Sequence, residues 1–217
     1  VSGSTNTIPF LKLLVHNSKP FSKLFNLTEQ ELVNLFVDGD QSALKNLFTR
    51  HKKRVYTYIL MVVKDKELAE DIFQDTFIKV IKSLKKGCYM EKGIFVSWVI
   101  RISHNLIIDH FRKLKHLKML SSDQSDVNLL NSKNLAESNI EDNMIQNHIN
   151  AELRELINLL PADQKEVILL RHYGDMSFKE IAEQTGVSIN TALGRMRYAL
   201  INLRKMIEDK KLALTII

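Results

Sequence analysis

The chain has 217 residues, 45% of them apolar, with only seven Gly and three Pro; this supplies one or two modest cores but too little turn punctuation for a many-stranded sheet. A formal charge of +6 favours a polyanionic partner, nucleic acid or an anionic surface. The single cysteine, Cys88, excludes a disulfide framework and a Cys-based zinc site and suits a reducing compartment, while no apolar run approaches the roughly 20 residues of a membrane span.

Residues 1–26 carry Lys12, Lys19 and Lys23, no acidic residue and a short apolar patch from Ile8 to Val15. The patch is too short for the core of a signal peptide and lacks a small-residue cleavage site, so a poorly ordered extension is expected.

The first strong periodicity runs through Leu68, Ile72, Phe73, Thr76, Phe77, Val80, Ile81 and Leu84, at three- and four-residue steps, and predicts a helix with a broad apolar stripe. Its other side presents Glu70, Asp71, Gln74, Asp75 and Ile78. An acidic face with one apolar residue suits docking on a basic helical partner, and a merely solvated face is the alternative. Asp71 and Asp75 stand one turn apart, but no His matches their spacing, so neither a metal pair nor a catalytic pair is expected.

The stretch KKGCYMEKG, Lys85 to Gly93, breaks the period and predicts a short basic loop holding Tyr89 and Met90. A second helix follows, with Phe95, Trp98, Val99, Ile102, Leu106 and Phe111 on its apolar side and Arg101, His104, Asn105, Asp109, Arg112 and Lys113 on the others. Cations beside Asn and His on one helix suit a phosphate backbone. Trp98 is also read as a core aromatic, and His104 and His110 as surface polarity rather than metal ligands.

Counted along the sequence, residues 27–116 hold 16 Lys+Arg against 11 Asp+Glu, and residues 117–150 hold two against five. The second stretch is rich in Ser, Asn and Asp and predicts a flexible, acidic polar linker. Beyond it, Leu153, Leu156, Ile157 and Leu160, then Val167, Leu169 and Leu170, describe two helices divided at Pro161, with Asp163 and Glu166 placed favourably for the second helix dipole.

From Met176 to Ile207 the sequence MSFKEIAEQTGVSINTALGRMRYALINLRKMI reads as a helix-turn-helix. Ser177 precedes the first helix, Ala182 allows close helix contact, Gly186 supplies the turn and Ser188 caps the second helix. In that second helix Ile189, Ala192, Leu193, Met196, Leu200, Leu203 and Ile207 form the expected buried stripe, which leaves Asn190, Thr191, Gly194, Arg195 and Tyr198 outward with Arg197 beside them. Arg, Asn and Thr reach base edges or phosphates, and Gly lets the backbone approach the duplex.

The pair AEDIFQDTF (Ala69 to Phe77) and FVSWVIRISHNLIIDHFRK (Phe95 to Lys113), and then LPADQKEVILLRHYGDMSFKEIAEQTGVS (Leu160 to Ser188), resemble the two conserved domains of bacterial RNA polymerase sigma factors. The resemblance covers about residues 27–116 and 151–208 and leaves no room for the extra domains of housekeeping members, which points to the extracytoplasmic-function (ECF) subfamily. It implies an all-α protein of two small helical domains: a polymerase- and minus-ten-binding domain at 27–116, a linker at 117–150, a helix-turn-helix domain reading the minus-thirty-five element at 151–208, and a tail at 209–217.

Carried onto this sequence, the resemblance implies that Asp71, Gln74, Asp75 and Ile78 bind the polymerase clamp. Tyr89 and Met90 would capture a flipped minus-ten base, and Arg101, His104, Asn105, Arg112 and Lys113 would hold the opened strand. Ser188, Asn190, Thr191, Gly194, Arg195, Arg197 and Tyr198 would read the upstream duplex. The recognition helix departs from the common pattern at Ala192-Leu193-Gly194, where a Lys or Ser often stands, so the promoter sequence is not implied.

The same resemblance implies a cytoplasmic, non-catalytic DNA-binding subunit for transcription initiation. Its partners would be core RNA polymerase, promoter DNA and an anti-sigma factor, with no cofactor, metal, membrane insertion or small-molecule substrate. Two other classes stay in view. A stand-alone helix-turn-helix transcriptional regulator accounts for the C-terminal half alone, and a helical enzyme on nucleic acid needs a convergent set of reactive residues that the sequence does not offer.

Overall fold

The structure is a computed structural model that describes residue 24 and residues 26–89, 94–120 and 144–210. The expectations for the N-terminal extension before Leu24, for the linker between 121 and 143, for Met90 and for the end of the tail lie outside the described residues. Every regular element among the described residues is a helix.

The first half holds α1 (Glu29–Val37), α2 (Gln41–Val63), α3 (Lys66–Lys85) and α4 (Phe95–Leu120). Local chemistry fixes their ends. Thr28 and Glu31 form a reciprocal capping box before α1, Asp40 caps α2 and Asp65 caps α3 through the Leu68 amide, each satisfying amides that a helix start leaves without partners. Glu29 reaches across from α1 to accept the Phe95 amide at 2.9 Å and so caps the start of α4 as well. The hydrogen bond from His51 and the Phe95 amide outweigh burial and hold the Glu29 carboxyl below its usual range.

Of the predicted α3 stripe, Ile72, Thr76, Phe77, Val80 and Leu84 are buried and Leu68, Phe73 and Ile81 are partly buried against the core, with Ala69 buried beside them. Phe77 meets Phe48 of α2 edge-on with centroids 4.7 Å apart, and Phe73 packs against Phe48 and Tyr56. Each such aromatic side chain contributes roughly 2 kcal/mol by burial, with a further gain from the edge-on geometry.

The second half holds α5 (Met144–Leu159), α6 (Ala162–Gly174), α7 (Phe178–Thr185) and α8 (Ile189–Asp209). Helix α4 runs on to Leu120 and α5 already begins at Met144, so helix enters the stretch 117–150 from both sides. Ile145, Ile149 and Leu153 do recur at four-residue steps; the Asn-rich composition around them obscured that period.

Helix α6 packs against α8 and α7 within its own half and also against α4 and α2 of the first. One continuous apolar core therefore runs through both bundles. Helix α4 is buried on two flanks as a result. Phe95 and Val99 lie on the flank the sequence marks, and Val96, Ser97, Ile100, His104 and Ile107 lie on a second that it does not.

Candidate nucleic-acid interface

The helix-turn-helix is built as the local sequence dictates. Ser177 and Glu180 form a capping box that starts α7, Gly186 closes it in the left-handed region at φ 68, and Ser188 accepts the Thr191 amide at 3.1 Å to start α8. At Gly186 a side chain would be strained, which is why Gly stands there. Ile181, Ala182, Ala192, Ala199 and Leu203 form the buried seam.

That seam corrects the expected stripe of α8. Ile189, Leu193 and Leu200 are exposed by 45%, 43% and 44%, so they edge the buried arc rather than fill it. Small Ala192 and Ala199 take the central positions, because α6 and α7 approach α8 too closely for larger side chains.

Asn190, Thr191, Arg197 and Tyr198 lie on the exposed face of α8 as expected. A Cβ added at Gly194 meets nothing within 4 Å, so the helix backbone is open to a large partner there. The hydroxyl of Ser188 is engaged with Thr191 as part of the cap. Arg195 is the exception to the outward set: its guanidinium turns to Asp163 at the start of α6, 2.7 Å away, and its side chain is mostly covered. Thr191, Gly194, Arg195 and Tyr198 line one wall of a concavity whose other wall is the first turn of α6.

On α3, Asp71 and Asp75 are exposed, Gln74 is half-buried beside them and Ile78 is 39% exposed. The structure thus brings the four residues marked for polymerase docking together on one open face. At the loop, Tyr89 packs against Phe95 and Trp98 with centroids 5.6 and 5.1 Å away, giving a half-buried aromatic group where the chain leaves α3 for α4. Rings that meet edge-on and tilted, as these do, leave a face on which an unstacked base can lie. Trp98 is accordingly neither a fully buried core residue nor an exposed one.

The strand-holding set on α4 divides. Arg112 and Lys113 are exposed, Arg112 pairing loosely with Asp109 at 3.2 Å. Arg101 lies 3.9 Å from Glu180 of α7, and the Asn105 side chain accepts a hydrogen bond from Gln184 of the same helix at 2.8 Å. His104 is not surface polarity. It is 6% exposed, its Nδ1 lies 2.8 Å from the Tyr58 hydroxyl, and Glu166 of α6 stands 3.7 Å from its Nε2. Burial depresses the His104 pKa to about 4, so the ring is neutral and shares a hydrogen bond with the Tyr58 phenol.

Burial likewise raises the Glu166 carboxyl, against the pull of Arg195, so this residue is a seam group rather than a surface charge serving the α6 dipole. For Glu180 burial works the other way from its partners, but the Ser177 amide and hydroxyl, Arg101 and Ser97 together hold the carboxyl low.

Residues 47–116 match the family described as Sigma-70 region 2, and residues 150–198 match Sigma-70, region 4. The chain belongs to the sigma-70 family. The RNA polymerase sigma factor CarQ of Myxococcus xanthus is 29% identical over 82% of this chain and 96% of its own length. The ECF RNA polymerase sigma factor SigW of Bacillus subtilis is 27% identical over 79% and 92%. The solved sigma factor RpoE of Bartonella quintana, in complex with the anti-sigma factor NepR, superposes with a TM-score of 0.57 at 20% identity, over 76% of this chain and 96% of that one, which shows a shared fold.

The protein is thus an ECF-type sigma factor, a DNA-binding regulator that serves RNA polymerase in promoter recognition and transcription initiation. A regulator working through its helix-turn-helix alone is not favoured, since the region 2 match covers the first half.

Sequence reasoning missed the groups that join the two halves of the sigma factor: Arg54, Ser97, Lys165, Glu180 and Gln184. Their partners lie up to 118 residues away, and no local period or spacing marks them.

Proposed function

We propose that this sigma factor works through three surfaces. Asp71, Gln74, Asp75 and Ile78 on α3 dock on the polymerase clamp. Tyr89 and Met90, with Arg101, Asn105, Arg112 and Lys113 of α4, take the opened minus-ten strand, and His104 supports that face from beneath through Tyr58. Asn190, Thr191, Gly194, Arg195, Arg197 and Tyr198 of α8 read the minus-thirty-five duplex, with Ser188 ordering the helix start. The division follows residues 27–116 and 151–208, joined by 117–150 and followed by the tail 209–217.

The observation that carries this reading is the open acidic-apolar face of α3 in a region 2 match, set apart from an equally open recognition helix in a region 4 match. The factor is non-catalytic, acts in the cytoplasm and is held in check by an anti-sigma protein. Relatives of the same fold are solved with such partners. No described helix is long and apolar enough to cross a membrane.

The test is run-off transcription with purified core polymerase on a set of promoter fragments. The parent chain should confer start-site selection. Asp71→Lys with Asp75→Lys should abolish both that selection and co-purification with core enzyme while leaving the helical circular dichroism unchanged. Undiminished co-purification would remove α3 from the docking surface.

A further inference from the structure

Tyr89, the ring that takes the flipped minus-ten base, belongs to a cluster whose centre is Phe95, the buried first residue of α4. Tyr89 and Trp98 lie against the Phe95 ring with centroids 5.6 and 5.8 Å away, and they meet each other at 5.1 Å. The His51 ring of α2 also lies against Phe95, at 5.4 Å. The half-buried rings open to a base, Tyr89 and Trp98, thus rest on a third ring that is covered, and where Phe95 sits decides where they stand.

Phe95 is held from α1. The two carboxylate oxygens of Glu29 divide between two partners: Oε2 accepts the Phe95 amide at 2.9 Å, and Oε1 stands 2.9 Å from His51 Nε2. The Phe95 amide is one that a helix start leaves without an intrahelical acceptor, and a carboxylate there also meets the positive end of the α4 dipole. The bond is charge-assisted and joins residues 66 positions apart. Glu29 is itself fixed. It opens α1 directly after Thr28, whose capping box with Glu31 sets that helix start, and Arg50 of α2 ties down the preceding turn by donating to the Leu27 and Leu24 carbonyls.

We infer that Glu29, with His51, is a positioning residue for strand capture: it holds the Phe95 end of α4 so that the Tyr89 and Trp98 rings stand ready for an unstacked base. Glu29 belongs to none of the three assigned surfaces and acts through one backbone amide and one ring. Reach counts here as much as charge. Asp is a methylene too short to span both partners, whereas Gln keeps the length, an oxygen for the Phe95 amide and an NH2 group that donates to an unprotonated His51 Nε2. The inference rests on the assignment of Tyr89 to the opened strand, and Tyr89→Ala tests that assignment by itself.

Trp98 is the one tryptophan of the sequence, so its emission in the full-length chain reports on the ring cluster. Glu29→Ala and Glu29→Asp should move that emission to longer wavelength as water enters, and Glu29→Gln should not. Helical circular dichroism and co-purification with core polymerase should match the parent in all three. The second readout is binding of reconstituted holoenzyme to the single-stranded non-template minus-ten strand of a promoter that the parent transcribes. Binding should weaken about five- to tenfold in Glu29→Ala and Glu29→Asp and stay within about twofold of the parent in Glu29→Gln. In a Tyr89→Ala background, Glu29→Ala should add less than about twofold, because a ring that is gone cannot be misplaced.

Full additivity of the two substitutions overturns the inference, as does a Gln variant as weak as the Ala variant. Unchanged strand binding in Glu29→Ala and Glu29→Asp, with Tyr89→Ala weakened, does the same. If Tyr89→Ala binds the strand like the parent, the Tyr89 assignment falls and the role of Glu29 in strand capture falls with it; the Trp98 emission keeps that outcome distinct from a Glu29 that holds nothing. Should Glu29→Ala lose helical signal, Glu29→Asp decides, and loss of helix in both makes Glu29 a residue of global stability and overturns the inference.

Discussion

His104 shares a hydrogen bond with the Tyr58 hydroxyl in a site where burial pulls its pKa down to about 4. Between about pH 6.5 and 4 the unfolded chain takes up a proton that the folded chain refuses. This residue therefore lowers stability as pH falls through that window, approaching about 3 kcal/mol at its lower end, and has no such effect above it. Glu166, whose carboxyl burial raises, contributes a slope of opposite sign above its usual range. Urea unfolding at several pH values should show a flatter acid limb for His104→Gln than for the parent; parallel limbs would place His104 in water. Arg195 is tied to Asp163, whose side chain is largely exposed, so Arg195→Ala should cost under about 1 kcal/mol of stability. The same change should weaken minus-thirty-five discrimination by about 1 to 3 kcal/mol, read as transcript ratios on templates differing only there. Equal ratios would confine Arg195 to its pair with Asp163.

Single helices in this chain are set by caps and short turns more than by propensity. The Ser177–Glu180 box starts α7, which has only eight residues and cannot form on its own. Ser177→Ala should cost about 1 kcal/mol of global stability by denaturant titration, and more of local protection, seen as faster amide exchange in α7. An unchanged exchange rate would mean that packing against α8 alone holds the helix. Helix α3 shows how an element divides its work: one side buries Ile72, Phe77 and Val80 while Asp71, Asp75 and Ile78 stay in solvent. Helix α4 is covered over more of its girth, one flank meeting α2 and α3 and another meeting α6, which leaves Asn105, Ile108, Asp109, Arg112 and Lys113 in solvent.

Across the whole molecule the two bundles meet through ion pairs that remain partly exposed. Arg54 and Asp175 keep 34% and 45% of their side-chain surface, and Arg101 and Glu180 keep 39% and 34%. Such pairs weaken as the screening length shrinks to about 3 Å in 1 M salt, whereas the apolar core that runs through both bundles does not depend on them. The radius of gyration from small-angle scattering should therefore stay constant as sodium chloride goes from about 0.05 to 0.5 M. A rise with no loss of helical signal would assign the seam to its ion pairs instead. Lys165 adds a group whose charge is costly in the seam: burial, with Lys64 nearby, brings its pKa down to about 7.

The amino-acid pattern by itself determined the helical class, the α3 stripe, the caps at Ser177 and Ser188, the turn at Gly186 and the faces that carry Asp71, Asp75, Asn190 and Tyr198. These are local properties, written in spacings of three or four residues and in residues that satisfy helix ends. Tertiary structure alone decided that Ala192 and Ala199 rather than Leu193 and Leu200 take the centre of the α8 seam, that Arg195 turns to Asp163, that His104 is buried, and that Glu180 and Gln184 of α7 reach Arg101 and Asn105. Each of those outcomes depends on which surface meets which, through partners tens of residues apart, and a period along one helix holds no information about the helix that will cover it.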